Sequence, residues 1–357
     1  MAKQPKYYDI SNLLTTEASY MMLLGQRANG KSYQVKKTCL EHFVKTGEKF
    51  IYLRRWVSDI KTKPVESYFD DMPIKKITKG KYEFIIAWSG SLYFGYLDED
   101  GARKRGEEIG RYCALNEYER YKSQTFPNYK YIIYEEFITD AMYLGDNEPT
   151  ILQQFVSTVA RNRKMTVFLV GNTLSRVCPY FHEWSLNGVL KQALGTIEVY
   201  HYHFNDTDTV DIAVEYCKNA EAENYMFFGQ SAKQIVSGEW DTREVNKLPR
   251  PKEEYEKIYE LLVEYQDFRF CVELLVEPTE GGTICFVYPY TSYRTIQRKI
   301  TDKFTDNIFS TAFLDTRRRP EAMISECFRA GKVCYSDNLT GADFTHVNET
   351  FRIGKLF

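Results

Sequence analysis

The sequence has no apolar run long enough to cross a bilayer as a helix, which takes about 18 residues or more. No membrane-spanning function is expected. The first residues, MAKQPKYYDISN, hold no apolar segment of the kind that directs export, so a protein retained in the cell that makes it is the expectation. The eight cysteines contain no CxxC pair, and of five histidines only His201 and His203 lie close together. That spacing argues against a zinc site or a disulfide framework and for buried, reduced thiols in the cytosol. Neither sign of charge is in excess, with 47 basic against 49 acidic residues. A nucleic-acid partner would have to meet local basic patches, because the field of the whole molecule will not attract it. Internal repeats and low-complexity tracts are also missing. What is present is 357 residues with 43% hydrophobic and 27% charged content, enough for two folded domains.

YMMLL at 20–24 reads as a short buried strand and FIYL at 50–53 as a second. Between them KSYQVKKTCLEHFVKTG carries Val35, Leu40, Phe43 and Val44 on one helical face and stops at Gly47. Strand, glycine loop, helix and strand make a βαβ unit, hence an α/β fold with a parallel sheet covered by helices. An inserted hairpin turns at Ser89-Gly90. YKYIIYEEF, 129–137, is a central parallel strand closed by Glu135 and Glu136. Glu148-Pro149 opens a helix carrying Ile151, Leu152, Phe155, Val156 and Val159 that ends in ARNRK, and TVFLV, 166–170, is the next strand. Residues 205–250 are polar and read as a linker or connecting subdomain, leaving domains at 1–204 and 251–357. In the latter, KEEYEKIYELLVEY reads as a helix, FRFCVELLVE and TICFVYPY as a hairpin, and a helix near 320–330 and a strand near 332–335 complete a smaller α+β domain.

GQRANGKS matches G-x-x-x-x-G-K-[ST] and sits after a strand and before a helix. Gly25, Gln26, Arg27, Ala28, Asn29, Gly30, Lys31 and Ser32 form the candidate phosphate cradle. Lys31 would reach the β- and γ-phosphates and Ser32 would coordinate Mg²⁺. The motif identifies a nucleotide, not an output.

Glu135 and Glu136 narrow the choice. One carboxylate suits the Mg²⁺ shell, and the second suits orientation of an attacking water, which kinases of small molecules and switch GTPases do not need. The alternative is two solvated glutamates at a strand end. Asp98 to Gly101 mimics a GTPase D-x-x-G, but no NKxD follows and a turn is the better reading. Arg161 and Arg163 suit either favourable charge at a helix C-terminus or an arginine finger offered to a neighbouring subunit. Asn172 suits either a γ-phosphate sensor or a turn. Dispersed basic residues include Arg54, Arg55, Lys61, Lys63, Arg103 to Arg105, Lys122 and Arg317 to Arg319. Most charged residues are solvated surface, yet a ring would multiply each loop into a pore lining. The loop 56–63 is the best candidate for tracking DNA phosphates.

Together GQRANGKSYQVKK, FIYLRRW, YKSQTFPNYKYIIYEEFI and TVARNRKMTVFLVGNTLSRV, with CPYF, resemble the DNA-packaging ATPases of phi29-like phages, additional-strand P-loop motors related to terminase large subunits. The likeness is colinear from residue 20 to about 181. It implies a homomeric ring, commonly pentameric, docked on the portal of a procapsid in the infected host's cytoplasm and pumping double-stranded DNA with ATP and Mg²⁺. It assigns phosphate and metal roles to Lys31 and Ser32, the water role to Glu136, and the trans finger to Arg161. Lys122 falls in a lid segment near the adjacent subunit's nucleotide. The chain departs from the family at Glu135, where aspartate is usual. It departs again at Trp56 and Val57, which displace an expected basic residue.

Terminases carry a second, RNase H-like nuclease domain that works through clustered acids and two metals. The candidates here, Glu273, Glu277, Asp315 and Asp337, show no convincing pairing. A nuclease-type fold without nuclease activity is the expectation, binding DNA, procapsid or a structural RNA. The alternatives are a terminase-type motor with an active nuclease and a nucleotide-gated scaffold without motor activity.

Overall fold

The computed structural model describes residues 8–139, 142–145, 147–203, 209–218, 240, 244–279, 281–292, 295–303 and 305–354. The chain divides into two compact units, Met1–Leu174 with Pro179–Glu239, and Ser175–Cys178 with Trp240–Phe357.

The first unit is built on nine strands: β1 (Tyr20–Leu24), β2 (Lys49–Arg54), β3 (Phe84–Trp88), β4 (Ser91–Leu97), β5 (Arg103–Ala114), β6 (Tyr129–Glu135), β7 (Thr166–Val170), β8 (Ile197–His203) and β9 (Thr209–Tyr216). Their order across the sheet is β3-β4-β5-β2-β6-β7-β1-β9-β8. Every pairing from β5 through to β9 is parallel. The strands β3, β4 and β8 join antiparallel at the two margins. β1 and β7 bury all but their first residue, without alternation, as strands covered on both faces must. β7 lies between β1 and β6, so one strand separates the glycine-loop strand from the acid-bearing strand. This is the additional-strand arrangement.

Parallel strands end on one edge, and here that edge gathers Leu24, Arg54, Glu135 and Val170. Ligands of open α/β sheets bind at that edge. The helix α1 (Lys31–Thr46) starts there at Gly30 and stops at Gly47, both in the left-handed region. It buries Val35, Leu40 and Phe43, while Val44 stays largely exposed. The helix α2 (Glu148–Ala160) has Pro149 in its first turn and buries Leu152, Phe155 and Val159. The hairpin of β3 and β4 turns at Ser89-Gly90, both with positive φ.

Three expectations in this region and the next are corrected. Residues 209–216, read as linker, are β9, hydrogen-bonded along β1. Ala213 and Val214 are buried there, and the polar flanks had masked a short core strand. Of the rest of that linker, 205–208, 219–239 and 241–243 lie outside the described residues. The loop 56–63 is a 3-10 turn at Val57–Ile60 running into a short helix at Thr62–Ser67. Pro64 falls in that helix's first turn, where its missing N–H leaves no bond unmade.

The third correction is KEEYEKIYELLVEY, which is not a helix. The second unit holds a six-stranded sheet of β10 (Glu256–Tyr265), β11 (Phe268–Val276), β12 (Thr283–Pro289), β13 (Lys299–Thr301), β14 (Ser310–Thr311) and β15 (Val333–Tyr335), ordered β14-β13-β10-β11-β12-β15. β10 pairs with β11 along its whole length and with β13 on its other side. Leu261 and Val263 enter one apolar cluster and Leu262 the opposite one. Apolar residues at adjacent positions satisfy a strand buried on both faces as well as a helix, and the pairing partner decides. The expected hairpin is β11 and β12, and the expected helix is α3 (Arg319–Arg329). A further helix, α4 (Asn338–Phe351), was not anticipated. Asp337 caps it by accepting the Thr340 amide N–H at 2.8 Å.

Gly110 pairs with Phe50 in the β5–β2 ladder, and a Cβ there would lie 2.1 Å from the Phe50 carbonyl oxygen. A ladder carbonyl cannot step aside. Gly110→Ala is therefore expected to destabilise the first unit by about 2–4 kcal/mol, read as a lowered denaturation midpoint.

Candidate active site

The loop Gly25–Ser32 wraps the end of β1 and opens α1. Gly25 has φ 142, and a side chain there would meet the Cys217 carbonyl oxygen at 3.0 Å. Gly30, at φ 94, caps the helix N-terminus. Such a turn leaves amide N–H groups facing a cleft rather than each other. The cleft, about 590 Å³, is lined by the loop residues Arg27 to Ser32, by Glu135 and Glu136 from the end of β6, by Asn172 beyond β7, and by Asp71.

Lys31 is buried beneath the loop. Its ammonium donates to the carbonyls of Gly25 and Gln26 at 3.2 and 2.5 Å and to Asn29 Oδ1 at 3.1 Å. Asn172 Oδ1 stands 3.4 Å away, joining the end of β7 to the loop. Burial pushes the ammonium down to about 8. Asn29 Nδ2 and both polar atoms of the Gln26 amide are buried without a hydrogen-bond partner. Of these, Asn29 Nδ2 is a spare donor on a residue that lines the cleft, and a triphosphate oxygen would satisfy it.

The two glutamates have different surroundings. Glu135 is buried, accepts the Tyr68 hydroxyl at 2.6 Å and stands beside the Ser32 side chain. Burial raises its carboxyl above the ordinary value. A hydroxyl and a buried carboxylate side by side on one cleft are a fitting donor set for Mg²⁺, a hard cation that takes oxygen ligands. Glu136 has left β6, with φ 58, and its side chain is 58% exposed. Its carboxylate accepts Arg54 at 2.7 Å, and Arg54 also stands 3.6 Å from Asp59. One acid is thus fixed and desolvated while the other is open to water.

The sequence model of the podovirus DNA encapsidation protein (Gp16) matches residues 1–201, which contain every part of this cleft. The chain belongs to that family. DNA packaging proteins of Bacillus phages PZA and phi29 are each 29% identical to it over 179 residues, 49% of this chain and 49% of the relative. The chain thus spans about half the length of the curated relatives it matches. Among solved structures, the bacteriophage Phi-29 viral genome packaging motor assembly aligns with a TM-score of 0.58 at 20% identity, over 98% of this chain and 99% of that one. The Phi-28 gp11 DNA packaging motor aligns at 0.50 and 17%, over 99% of each. At these identities the structural likeness is one of fold.

Elsewhere in this Gp16-family chain the anticipated site residues are sorted by their surroundings. Arg161 ends α2 at φ 41, is exposed, and donates to the Gln124 carbonyl at 3.0 Å. Arg163 is exposed too, but its guanidinium folds back to donate to the carbonyls of Phe126, Val159 and Ala160, and so closes the end of that helix. Lys122 is exposed and paired with Glu119 at 2.6 Å. Lys61 and Lys63 are exposed around the start of the Thr62–Ser67 helix. Arg55, grouped with the surface cations in the sequence, is instead 5% exposed and bonded to buried Glu148 at 2.8 and 3.0 Å, so it is not a phosphate contact. The final strand residue reaches across to Glu136 and the next is buried against Glu148, a distinction that the doublet Arg54-Arg55 does not carry.

Sequence reasoning missed Tyr68, Asp71 and Lys36. Lys36 lies on α1, donates to the Tyr68 carbonyl and to Asp71 Oδ1, and covers the Tyr68 ring at 4.4 Å. Tyr68 in turn stacks on Tyr52 of β2 at 4.4 Å. YFDD at 68–71 looks like an ordinary helix end, and only its fold-back onto α1 brings it to the cleft.

In the second unit the four acids considered for nuclease chemistry stand apart. Among the described residues, the group able to hold a metal is Glu260, Cys271 and Glu273, and Lys252 already lies 2.7 Å from Glu273. Asp315 is paired with Arg317, Asp337 caps α4, and Glu277 accepts the Thr279 amide.

The charged form of Lys31 is the one suited to gripping a triphosphate. Because burial pushes that ammonium down to about 8, affinity for a triphosphate is expected to hold below pH 8 and to fall as pH rises, by up to about tenfold per unit. Titration with a fluorescent ATP analogue from pH 7 to 9.5 reads this. Lys31→Arg, which stays protonated, removes the decline.

Proposed function

We propose that this chain is the ATPase subunit of a homomeric ring that moves double-stranded DNA into a viral procapsid in the host cytoplasm. The observation that carries the reading is the meeting of Lys31, Ser32, Glu135 and Glu136 in one cleft, across a single intervening strand, in a chain of the DNA encapsidation family. Nucleotide-cradling loops of this kind serve many outputs, and the second acid argues for hydrolysis.

In this reading Lys31 and the loop amides bind and orient the triphosphate. Ser32 and Glu135 would hold Mg²⁺, which when bound neutralises charge on the β- and γ-phosphate oxygens. Glu136, open to water, orients the attacking molecule toward the γ-phosphorus. Asn172 bonds to Lys31 and monitors the γ-phosphate position. Arg161 is exposed at the end of a rigid helix. From there it can stabilise the transition state at a neighbouring subunit's nucleotide, with Lys122 close to the same junction. A guanidinium supplied in trans is worth about 10³–10⁵ in rate.

DNA contacts are assigned to Lys61 and Lys63, which lie on the excursion that leaves the end of β2 beside Glu136. The duplex would be held through its phosphates and without sequence preference. The first unit is the ATPase domain. The second is a nuclease-like domain that has lost cutting and binds DNA, procapsid or a structural RNA. The ion pairs and cap that engage its acids support that assignment.

The test uses mixtures. Lys31→Ala and Arg161→Ala proteins are each expected to lose DNA-stimulated ATP hydrolysis. Mixed rings should regain part of it, because one parent keeps the loop and the other keeps the finger. If mixing restores nothing while each parent still assembles and binds DNA, the finger does not act across an interface. A monomer with full turnover, indifferent to DNA, would rule out the motor.

A further inference from the structure

The two arginines that close β2 have different partners. Arg54 meets the carboxylate of Glu136. Arg55 holds the main chain of the same residue: one terminal nitrogen donates to the Glu136 carbonyl at 3.1 Å and the other to the Phe137 carbonyl at 2.7 Å. Its charge is balanced by Glu148, which is fully buried. Glu148 accepts two bonds from Arg55, one each from the hydroxyls of Tyr134 and Tyr180 at 2.6 and 2.9 Å, and one from the Leu144 amide at 2.8 Å. Its acceptor sites are filled, so the pair has one geometry rather than several.

Glu136 needs such a hold. Its φ of 58 is left-handed, a region that residues with a Cβ avoid unless their surroundings dictate it. Its amide is fixed by the Val170 carbonyl at 2.8 Å and its carbonyl by Arg55. Only the side chain is left to move.

We propose that the buried Arg55–Glu148 pair is a positioning device that holds the left-handed main chain of Glu136 and so sets where its carboxylate stands. The inference rests on the reading of Glu136 as the group that orients water. A buried ion pair adds little net stability over an apolar replacement, and a fixed geometry is the advantage such a pair offers. Glu148 is also the first residue of α2, the helix that ends at Arg161. The same anchor therefore ties the water-orienting acid to the root of the helix that presents the finger.

The experiment measures DNA-stimulated turnover and fluorescent ATP-analogue binding on full-length protein carrying Arg55→Lys, Glu136→Gln, or both. Lysine keeps the charge but cannot span the two carbonyls and the carboxylate. Arg55→Lys is expected to lower kcat by about 10- to 100-fold while leaving KM and analogue affinity nearly unchanged. In the Glu136→Gln background it should remove nothing more, because the effect passes through a side chain already disabled. Tyr180→Phe deletes one hydroxyl without opening a cavity. It should show a smaller loss with the same signature, and it carries the test if Arg55→Lys does not fold. A loss that multiplies in the Glu136→Gln background, or a KM that climbs in step, overturns the inference and leaves a merely structural pair. Full turnover by Glu136→Gln alone overturns the assignment of Glu136 and, with it, the device.

Discussion

Main-chain hydrogen bonding between β6, β7 and β1 is the constraint on which the rest depends. Three parallel strands in continuous register must end on the same edge, at a spacing of about 4.8 Å per strand. The acids at the end of β6 are therefore held on the same edge as the glycine loop that closes β1, one strand away, and both line one cleft. Neither the loop nor the acids need to find each other by side-chain contact. The sheet brings them together, and α1, docked through Val35, Cys39, Leu40 and Phe43, keeps the loop from drifting.

On that frame the cleft divides its labour by solvation. Glu135 is dry, hydrogen-bonded to Tyr68, beside Ser32, and suited to a metal. Tyr68, which meets this carboxylate, is itself braced by Tyr52 and Lys36. Glu136, one residue later, is turned by its left-handed backbone into water and into reach of Arg54. Adjacent residues in a strand face opposite ways, but here the strand ends between them. The break in backbone conformation, rather than alternation, separates their surroundings.

Much of this was legible in the chain itself. GQRANGKS, YMMLL, YKYIIYEEF and TVFLV announce loop and strands because fully buried parallel strands must be apolar throughout and a phosphate loop must have glycines at turn positions. The hairpin at Ser89-Gly90 follows from turn chemistry alone. Illegible were features set by partners distant in sequence. Arg54 and Arg55 look alike, yet Glu148, 93 residues on, makes one of them an interior cation. Tyr68, Asp71 and Lys36 bear no motif. KEEYEKIYELLVEY fits a helix and a strand equally, and β11 and β13 resolve it.

The sequence by itself determined the nucleotide loop, the parallel α/β frame and the acid pair, since each is written in local patterns whose physics is short-ranged. Tertiary structure alone decided that β7 intervenes between β1 and β6, that β9 completes the sheet within a polar stretch, and which arginine is buried. Those outcomes depend on desolvation and pairing between segments tens of residues apart, and no local window contains both halves of such an interaction.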